Sequence, residues 1–419
     1  MLALPLAPRA VRAAGELRAG VGRADLTPSL GTPLSGYAAR KGAPSTGVND
    51  PIQARALVLD NGATRIGILT ADLIGTDPLI VREVAERAGF PPEQLMVCSS
   101  HTHSGPGAFS KAPFARIAGG PYAEAVHKKL VAGLAQALRD AETGLRPAHL
   151  AVGEAAIPGF QRNRRKAPHV DPALWLLRVD TQDGKPLAAL VNLTAHGTVL
   201  EEENLAFSGD WMGLMRARME QDLPGLTVLY TNGAEGDISP NIPADTSNFE
   251  GARAHGEKGA AAALTLYRSL QPLPDADLEF RTAMFELPRT LKSAFLGASQ
   301  RTRLQCFRIR NALLIAVPGE MITELGLLLK EHARRQGHEL PVVMGLANDH
   351  LGYFLTQAEM KKGGYEAGVS FYGDDFGEKL TLELGRLIRG DLGPLREALG
   401  RPRGRAGSPR EGRVESREK

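Results

Sequence analysis

Strand-like and helix-like segments alternate along this chain, and this alternation restricts the possible folds more than any other feature of the sequence. The strand-like segments are short apolar runs that end in turn residues, and the segments between them have the spacing of helices. Strands that alternate with helices assemble into a largely parallel or mixed central sheet with helices packed against it. The sequence therefore predicts an α/β fold with mixed central sheets flanked by helices. The predicted strands are 54–60, 64–71, 95–99, 188–194, 226–231, 278–287, 312–317 and 341–346, and the predicted helices are 79–88, 122–141, 211–221, 251–270, 321–335 and 377–387.

Composition narrows the class of protein. The 419 residues are 43% apolar, which is enough for one large domain or two ordinary ones. No uninterrupted apolar run approaches the ~20 residues that a membrane-spanning helix needs. The net charge of +3 is concentrated at the C-terminus, where residues 396–419 contain eight Lys or Arg and four Glu. Because the rest of the chain is close to neutral, we expect a soluble protein with no nucleic-acid partner.

The chain divides into three predicted parts. Residues 1–16 resemble either the back half of a signal peptide, without its positively charged start, or a disordered N-terminus. Residues 17–391 show no clear internal boundary and are predicted to form a single domain. Residues 392–419 are charged and rich in Gly, Pro and Arg, so they are predicted to form a disordered tail. The N-terminal segment favours export to the periplasm or the cell exterior, with the cytoplasm as the alternative.

Polar residues cluster directly after five of the predicted strands. In open α/β sheets, ligands bind at the loops that leave the carboxyl ends of strands. We therefore expect these clusters to lie close together and to form the functional site. The clusters are residues 100–107, 196–198, 232–241, 318–320 and 348–353.

Three histidines stand out in these clusters. In extended chain His101 and His103 project to the same side, because side chains alternate with a period of two. Together they could ligate a metal, or one could ligate while the other contacts a substrate. The alternative is a pair of hydrogen-bonded histidines in a polar loop. His196 also follows a strand, although a lone histidine is more often a structural residue than a ligand.

The other candidates are ambiguous when they are considered one at a time. Ser239 could be a nucleophile or a donor to a developing oxyanion, but no G-x-S-x-G motif surrounds it. Glu320 opens a predicted helix, where a carboxylate is favourable for electrostatic reasons alone. Tyr353 and Tyr365 lie in loop-like sequence that predicts no particular role.

Taken together, the motifs resemble those of the neutral/alkaline non-lysosomal ceramidase family. The matching segments are SHTHSGPG, AHGT, GDISPN, VPGE and the pair formed by Tyr353 and Tyr365-Glu366-Ala367, and they occur in the family's order. Asn163-Arg164 resembles an Asn-Arg-Ser element of the family in which Arg165 replaces the serine. The resemblance covers roughly residues 17–390 and implies the fold of that family's N-terminal catalytic domain.

The resemblance implies one zinc ion per chain. Its ligands would be His101, His196, Glu320 and Tyr353, which match the family's zinc ligands residue by residue. Imidazole, carboxylate and phenolate are all acceptable zinc ligands, and a site that also holds a water is open to substrate.

The resemblance also implies catalytic roles. His103, Arg164 and Tyr365 would contact the substrate carbonyl or its oxyanion, and His103 would transfer a proton to the leaving amine. Ser239 matches a serine that has been considered as the nucleophile in the family. We favour attack by metal-activated water, with Ser239 as an orienting or hydrogen-bonding group.

The activity that the resemblance implies is hydrolysis of an N-acyl amide by a zinc-dependent linear amidase. The substrate would be a small acyl amide or a lipid, such as ceramide or a related acylated amine, with peripheral contact to a membrane surface. Two alternatives stay open. One is an esterase or other zinc hydrolase on the same fold, and the other is a lipid-binding homologue without catalytic activity.

Overall fold

The computed structural model describes residues 15–400, apart from residues 244 and 247. The strands are β1 (Arg18–Asp25), β2 (Gly47–Val48), β3 (Gln53–Asp60), β4 (Arg65–Ala71), β5 (Leu95–Ser99), β6 (Arg146–Ala156), β7 (Gln161–Asn163), β8 (Ala173–Thr181), β9 (Pro186–Leu193), β10 (Ala206–Phe207), β11 (Thr227–Asn232), β12 (Ile238–Pro240), β13 (Leu278–Glu286), β14 (Arg301–Ile309), β15 (Ala312–Ala316), β16 (Glu320–Met321), β17 (Leu340–Met344) and β18 (Tyr353–Phe354). The α-helices are α1 (Pro78–Ala88), α2 (Pro113–Gly119), α3 (Glu124–Thr143), α4 (Asp210–Asp222), α5 (Phe249–Ser269), α6 (Leu291–Phe295), α7 (Thr323–Arg335), α8 (Gln357–Lys361), α9 (Tyr365–Gly368), α10 (Phe376–Ile388) and α11 (Gly393–Ala398).

Two mixed sheets organise these elements. The larger has the strand order β11-β9-β8-β6-β1-β3-β4-β5, and the smaller has the order β13-β14-β15-β17. Parallel pairs occur between β4 and β5, between β9 and β11, and between β15 and β17, and the other neighbours are antiparallel. The prediction of an α/β fold with mixed sheets flanked by helices is confirmed.

The two sheets pack face to face. Leu57 and Ile68 of the larger sheet share a buried cluster with Phe307 and Leu314 of the smaller sheet. Helices α1, α3, α4 and α5 cover the opposite face of the larger sheet, and α7, α10 and α11 cover the opposite face of the smaller. Strands buried on both faces carry near-continuous apolar runs, which is why β3 and β4 are apolar along most of their length.

The predicted elements coincide with strands and helices of the structure, but four long strands were not predicted. These are β1, β6, β8 and β14, which complete the two sheets. No helix within the described ranges is long and apolar enough to cross a membrane.

The boundary of the domain differs from the one expected. Residues 392–400 were assigned to the tail, but 393–398 form α11, and Leu395 and Leu399 are buried in the cluster around α7 and α10. Pro394 fits the first turn of this helix, where its missing N–H costs no hydrogen bond. The predicted N-terminal segment up to residue 14 and the tail from residue 401 lie outside the described residues.

Candidate metal centre

His101 follows β5 in an unusual backbone conformation. Its φ angle is 66°, in the left-handed region, which costs a residue other than glycine about 1–3 kcal/mol. The backbone N–H of His101 donates to the carbonyl of Leu73, and its ring Nδ1 lies 2.7 Å from the carbonyl oxygen of Ile74. A carbonyl oxygen can only accept, so Nδ1 carries the proton and Nε2 presents its lone pair to the site.

His196 is fixed in the same way after β9. Its Nδ1 lies 2.9 Å from the carbonyl oxygen of Ile238, which leaves its Nε2 lone pair directed into the site. The backbone N–H of His103 donates to the carbonyl of Gly197, and this contact joins the two histidine loops. The Nε2 atoms of His103 and His101 are 3.3 Å apart. The predicted convergence of the histidine clusters is thus present in the structure.

Glu320 and Tyr353 reach the same point from a two-stranded parallel ladder. They are register partners in the β16–β18 pair, so their side chains lie next to each other. Glu320 Oε2 is 3.2 Å from Nε2 of His101 and 3.2 Å from Nε2 of His196. The Tyr353 hydroxyl is 3.2 Å from Nε2 of His196.

The chemistry of these donors fits a metal ion. The metal-binding atoms of His101, His103 and His196 lie within 4.8 Å of one another, and all three rings are buried. Glu320 Oε2 is buried and receives no hydrogen bond from the described residues. A carboxylate oxygen that faces two imidazole lone pairs is repelled by them unless a proton or a cation lies between. A metal ion placed between them would satisfy all of these atoms at once.

Burial sets the protonation states that a metal requires. It lowers the pKa of His196 to about 3 and the pKa of His103 well below its usual 6.5, with the neighbouring histidines adding to the effect for His103. Burial alone would raise the pKa of Glu320, but the histidines His101, His196 and His350 around it hold that pKa well below 4.5. Near neutral pH His103 and His196 are therefore neutral and Glu320 is ionised, as metal ligation needs.

Arg164 lies beside this cluster, as expected. Its Nη2 donates to the Tyr353 hydroxyl at 3.1 Å and to the carbonyl of Gly236 at 2.8 Å, and its Nε donates to Glu366 at 2.8 Å. The Tyr365 ring meets the Tyr353 ring edge to face, with centroids 5.8 Å apart. Arg164 and Tyr365 thus sit next to the metal-binding donors.

Ser239 makes no hydrogen bond to those donors within the described part of the chain. It lies partly buried in β12 opposite Arg162, and no hydrogen bond joins its hydroxyl to the described residues of the site. Its neighbour Asp237 accepts hydrogen bonds from Asn163 and from the N–H and hydroxyl of Thr323. That part of the 232–241 cluster therefore secures the loops that surround the site.

His350 is a site residue that sequence reasoning left as an ordinary loop residue. Its Nε2 lies 2.9 Å from Glu320 Oε1, so one carboxylate oxygen faces this ring while the other faces His101 and His196. The only signal in the sequence was its position directly after a predicted strand, one residue beyond Asp349. Sequence gives no partner for such a residue, because Glu320 is thirty positions away.

Arg165, which replaces the family serine, also has a defined role. It donates to Glu359 at 2.9 Å and to Glu366 at 2.6 Å, and Glu366 in turn accepts from Arg164. The second arginine therefore fixes the carboxylate that orients the first.

An apolar cavity of about 370 Å³ leads to the cluster. His101, His103, Glu320, Tyr353 and Tyr365 all line it. Most of its other lining is hydrocarbon, contributed by Ile74, Phe109, Phe114, Ile117, Leu296, Val369 and Phe371 among others. His101, Glu320 and Tyr353 thus lie in the wall of a cavity that suits an aliphatic chain.

Comparison with known proteins places this geometry in a family. Residues 17–266 match the family model of the neutral/alkaline non-lysosomal ceramidase N-terminal region. The chain belongs to this family. The matched residues include His101, His103, Arg164, His196 and Ser239, whereas Glu320, Tyr353 and Tyr365 lie beyond them.

Three curated relatives carry the name neutral ceramidase. The protein from Pseudomonas aeruginosa is 25% identical over 326 residues, which are 67% of this chain and 48% of that protein. The protein from Mycobacterium tuberculosis is 23% identical over 47% of this chain and 36% of its own length. Neutral ceramidase A from Dictyostelium discoideum is 26% identical over 54% and 36%. In these matches the chain spans about half or less of its relatives' length.

Solved structures show the same fold. The crystal structure of neutral ceramidase from Pseudomonas aeruginosa has a TM-score of 0.79 at 20% identity, covering 93% of this chain and 75% of that one. A structure described as ceramidase complexed with C2 has a TM-score of 0.76 at 20% identity, covering 92% and 75%.

Proposed function

We propose that this protein is a zinc-dependent hydrolase that cleaves an N-acyl amide, with ceramide or a related acylated amine as its substrate. The observation that carries the proposal is the convergence of His101, His196, Glu320 and Tyr353. His101, Glu320 and Tyr353 of this set line an apolar cavity. Four donors from distant parts of the chain meet where a hydrophobic substrate would enter. The family membership and the names of the relatives support the same activity.

These four residues form the proposed ligand set. His103 contacts His101 as well, but it is also well placed beside the cavity for a role in proton transfer. When bound, zinc would polarise the scissile carbonyl and lower the pKa of a water towards about 7. His350 would hold Glu320 in place through its hydrogen bond to Oε1.

The protein's own groups would then supply orientation and proton transfer. Arg164, fixed by Glu366, and the Tyr365 hydroxyl would donate hydrogen bonds to the oxygen on which negative charge develops. His103 is neutral at pH 7 and its Nδ1 has no partner among the described residues, so the ring can accept a proton and pass it to the leaving amine. Ser239 would act at most as a hydrogen-bonding group, since its hydroxyl makes no hydrogen bond to the described residues of the cluster.

The cavity indicates which part of a substrate it would accept. Aromatic and aliphatic side chains dominate its lining, and burial of hydrocarbon contributes about 0.8 kcal/mol for each CH₂ group. An acyl amide with a long chain would therefore bind with its chain in the cavity and its carbonyl at the donors. A polar amide of similar size would gain little from these walls.

The experiment measures zinc and turnover together. Wild type purified without chelator is expected to hold about one zinc ion per chain and to hydrolyse an N-acyl amide. His101→Ala and Glu320→Gln are expected to lose both properties, whereas the matched controls His338→Ala and Glu324→Gln, which are outside the cluster, keep them. A wild type that takes up no zinc would show that the ligand assignment is wrong.

The same experiment separates the alternatives. Amide and ester substrates with the same acyl chain distinguish an amidase from an esterase on this fold. A protein that binds the acyl lipid but hydrolyses neither substrate would instead be a lipid-binding homologue.

A further inference from the structure

Exposed apolar side chains lie on the two short helices, α2 and α6, that contribute residues to the cavity lining. Leu291 and Phe295 of α6 are 93% and 86% exposed, and Ile117 of α2 is 62% exposed. Ile117 lines the cavity, as do Lys292 and Leu296 next to the two exposed α6 residues. We call residues 111–119 and 289–297 the cavity rim. Three large exposed apolar side chains on neighbouring helices form a patch, and patches of this kind usually mark a surface that binds a partner or a membrane.

Hydrogen bonds and close packing fix the position of α6, so the exposure of Leu291 and Phe295 is a property of the folded rim. Thr290 and Ser293 form a reciprocal capping box at the start of α6, and the Thr290 hydroxyl donates to the carbonyl of Phe371. Leu296 turns inward against the cluster around α7 and α10. A Cβ atom on Gly297 would lie 2.9 Å from Pro113, so the end of α6 lies tightly against the start of α2.

The charges of the rim all have one sign. Residues 101–123 and 287–319, which contain the two halves of the rim, include no Asp or Glu. Lys111, Arg116 and Lys292 are exposed there beside the apolar side chains. Apolar tips flanked by cations match the boundary of an anionic bilayer, where acyl chains lie below negative headgroups.

We propose that the cavity rim docks on the surface of an anionic lipid bilayer. Leu291, Phe295 and Ile117 insert between the headgroups, and Lys111 and Arg116 contact the phosphates. The inference rests on the proposed function. A rim docked on the bilayer would let an amphiphilic substrate pass directly from the bilayer into the cavity without crossing water. A lipid surface fits better than a protein partner, since the exposed charges beside the apolar side chains are all cations.

The test measures binding of the full chain to vesicles. The vesicles contain phosphatidylcholine alone or with about one third phosphatidylglycerol, and bound protein is separated by flotation. The Leu291→Asp/Phe295→Asp double variant is expected to bind the anionic vesicles at least about tenfold more weakly than wild type, which corresponds to about 1.4 kcal/mol. Leu273→Asp is the matched control, because Leu273 is 46% exposed and does not line the cavity. Lys111→Glu is expected to weaken binding to anionic vesicles only.

A second measurement separates this inference from the proposed function. Neither Leu291 nor Phe295 lines the cavity, so the double variant should hydrolyse a short, water-soluble N-acyl amide at the wild-type rate. Hydrolysis of the soluble amide by a wild type that ignores vesicles would overturn docking and leave the activity standing. Vesicle binding by a wild type that hydrolyses no N-acyl amide would support docking and overturn the proposed function. Equal vesicle binding by wild type and double variant, or a change in oligomeric mass by light scattering, would show that the rim serves another partner.

Discussion

Removal of the His350 imidazole is expected to weaken zinc binding although His350 is not a proposed ligand. Its Nε2 lies 2.9 Å from Glu320 Oε1 and can donate a hydrogen bond to it. In His350→Ala the carboxylate loses this donor and can rotate away from the two imidazoles that face Oε2. A hydrogen bond to a charged group contributes about 1.5–3 kcal/mol, and loss of such a supporting contact typically weakens metal affinity by about 10–100-fold.

The assay is equilibrium competition for zinc against a chromophoric chelator, with chemical denaturation to verify that each variant folds. His350→Gln is the rescue variant, because its amide can still donate to Glu320 and should recover most of the affinity. Gly75→Ala is an independent perturbation, since a Cβ atom there would lie 2.5 Å from His350 Nδ1 and would displace the ring. Its zinc affinity should fall as well.

The reasoning would be refuted by a His350→Ala protein that binds zinc within about twofold of wild type while Glu320→Gln does not. That result would mean that the backbone of β16 alone orients the carboxylate.

Three further predictions concern other parts of the molecule. Asp72→Asn should lower the free energy of unfolding, measured in urea, by about 3–5 kcal/mol. The reason is that Arg216, which is fully buried, donates two hydrogen bonds to Asp72 and would lose the charge of that carboxylate. A loss below about 1 kcal/mol would contradict this. Burial lowers the pKa of His255 to about 3, so on acidification this histidine is protonated in the unfolded chain before it is protonated in the folded protein. The free energy of unfolding therefore falls by about 2 kcal/mol between about pH 7 and about pH 5 because of this residue. His255→Leu should flatten the decline of stability over that interval, and an unchanged slope would show that His255 does not titrate on unfolding. Tyr365→Phe should lower kcat for the soluble amide by about 10²-fold with unchanged zinc content, whereas a change in KM alone would assign Tyr365 to binding.

Much of the site could be predicted from the sequence because its donors lie directly after buried strands. His101 and His196 follow β5 and β9 by two or three residues, and the apolar runs before them are visible in the sequence. Glu320 similarly follows β15. Strand ends that meet at one edge bring such residues together whatever the details of packing.

The remaining features depend on tertiary contacts that a single sequence does not encode locally. The face-to-face packing of two sheets requires β14, a strand with three Arg residues that was not predicted. The contact between His350 and Glu320 follows from the pairing of β16 with β18, which are two residues each and carry no periodic signal. The exposure of Leu291 and Phe295 is visible only in the structure, because large apolar side chains carry no local signal of the face they occupy.

The division of the donors between two structural units has a thermodynamic consequence. His101 and His196 extend from the larger sheet, whereas Glu320 and Tyr353 belong to a ladder connected to the smaller sheet and α7. An ion shared by both units would act as a cross-link between chain segments that are 124 positions apart for His196 and Glu320, and 219 for His101 and Glu320. By linkage, free zinc at about a hundred times its dissociation constant would add about 2.7 kcal/mol to the free energy of unfolding. The zinc concentration of the compartment would then govern how long the protein survives as well as how fast it works.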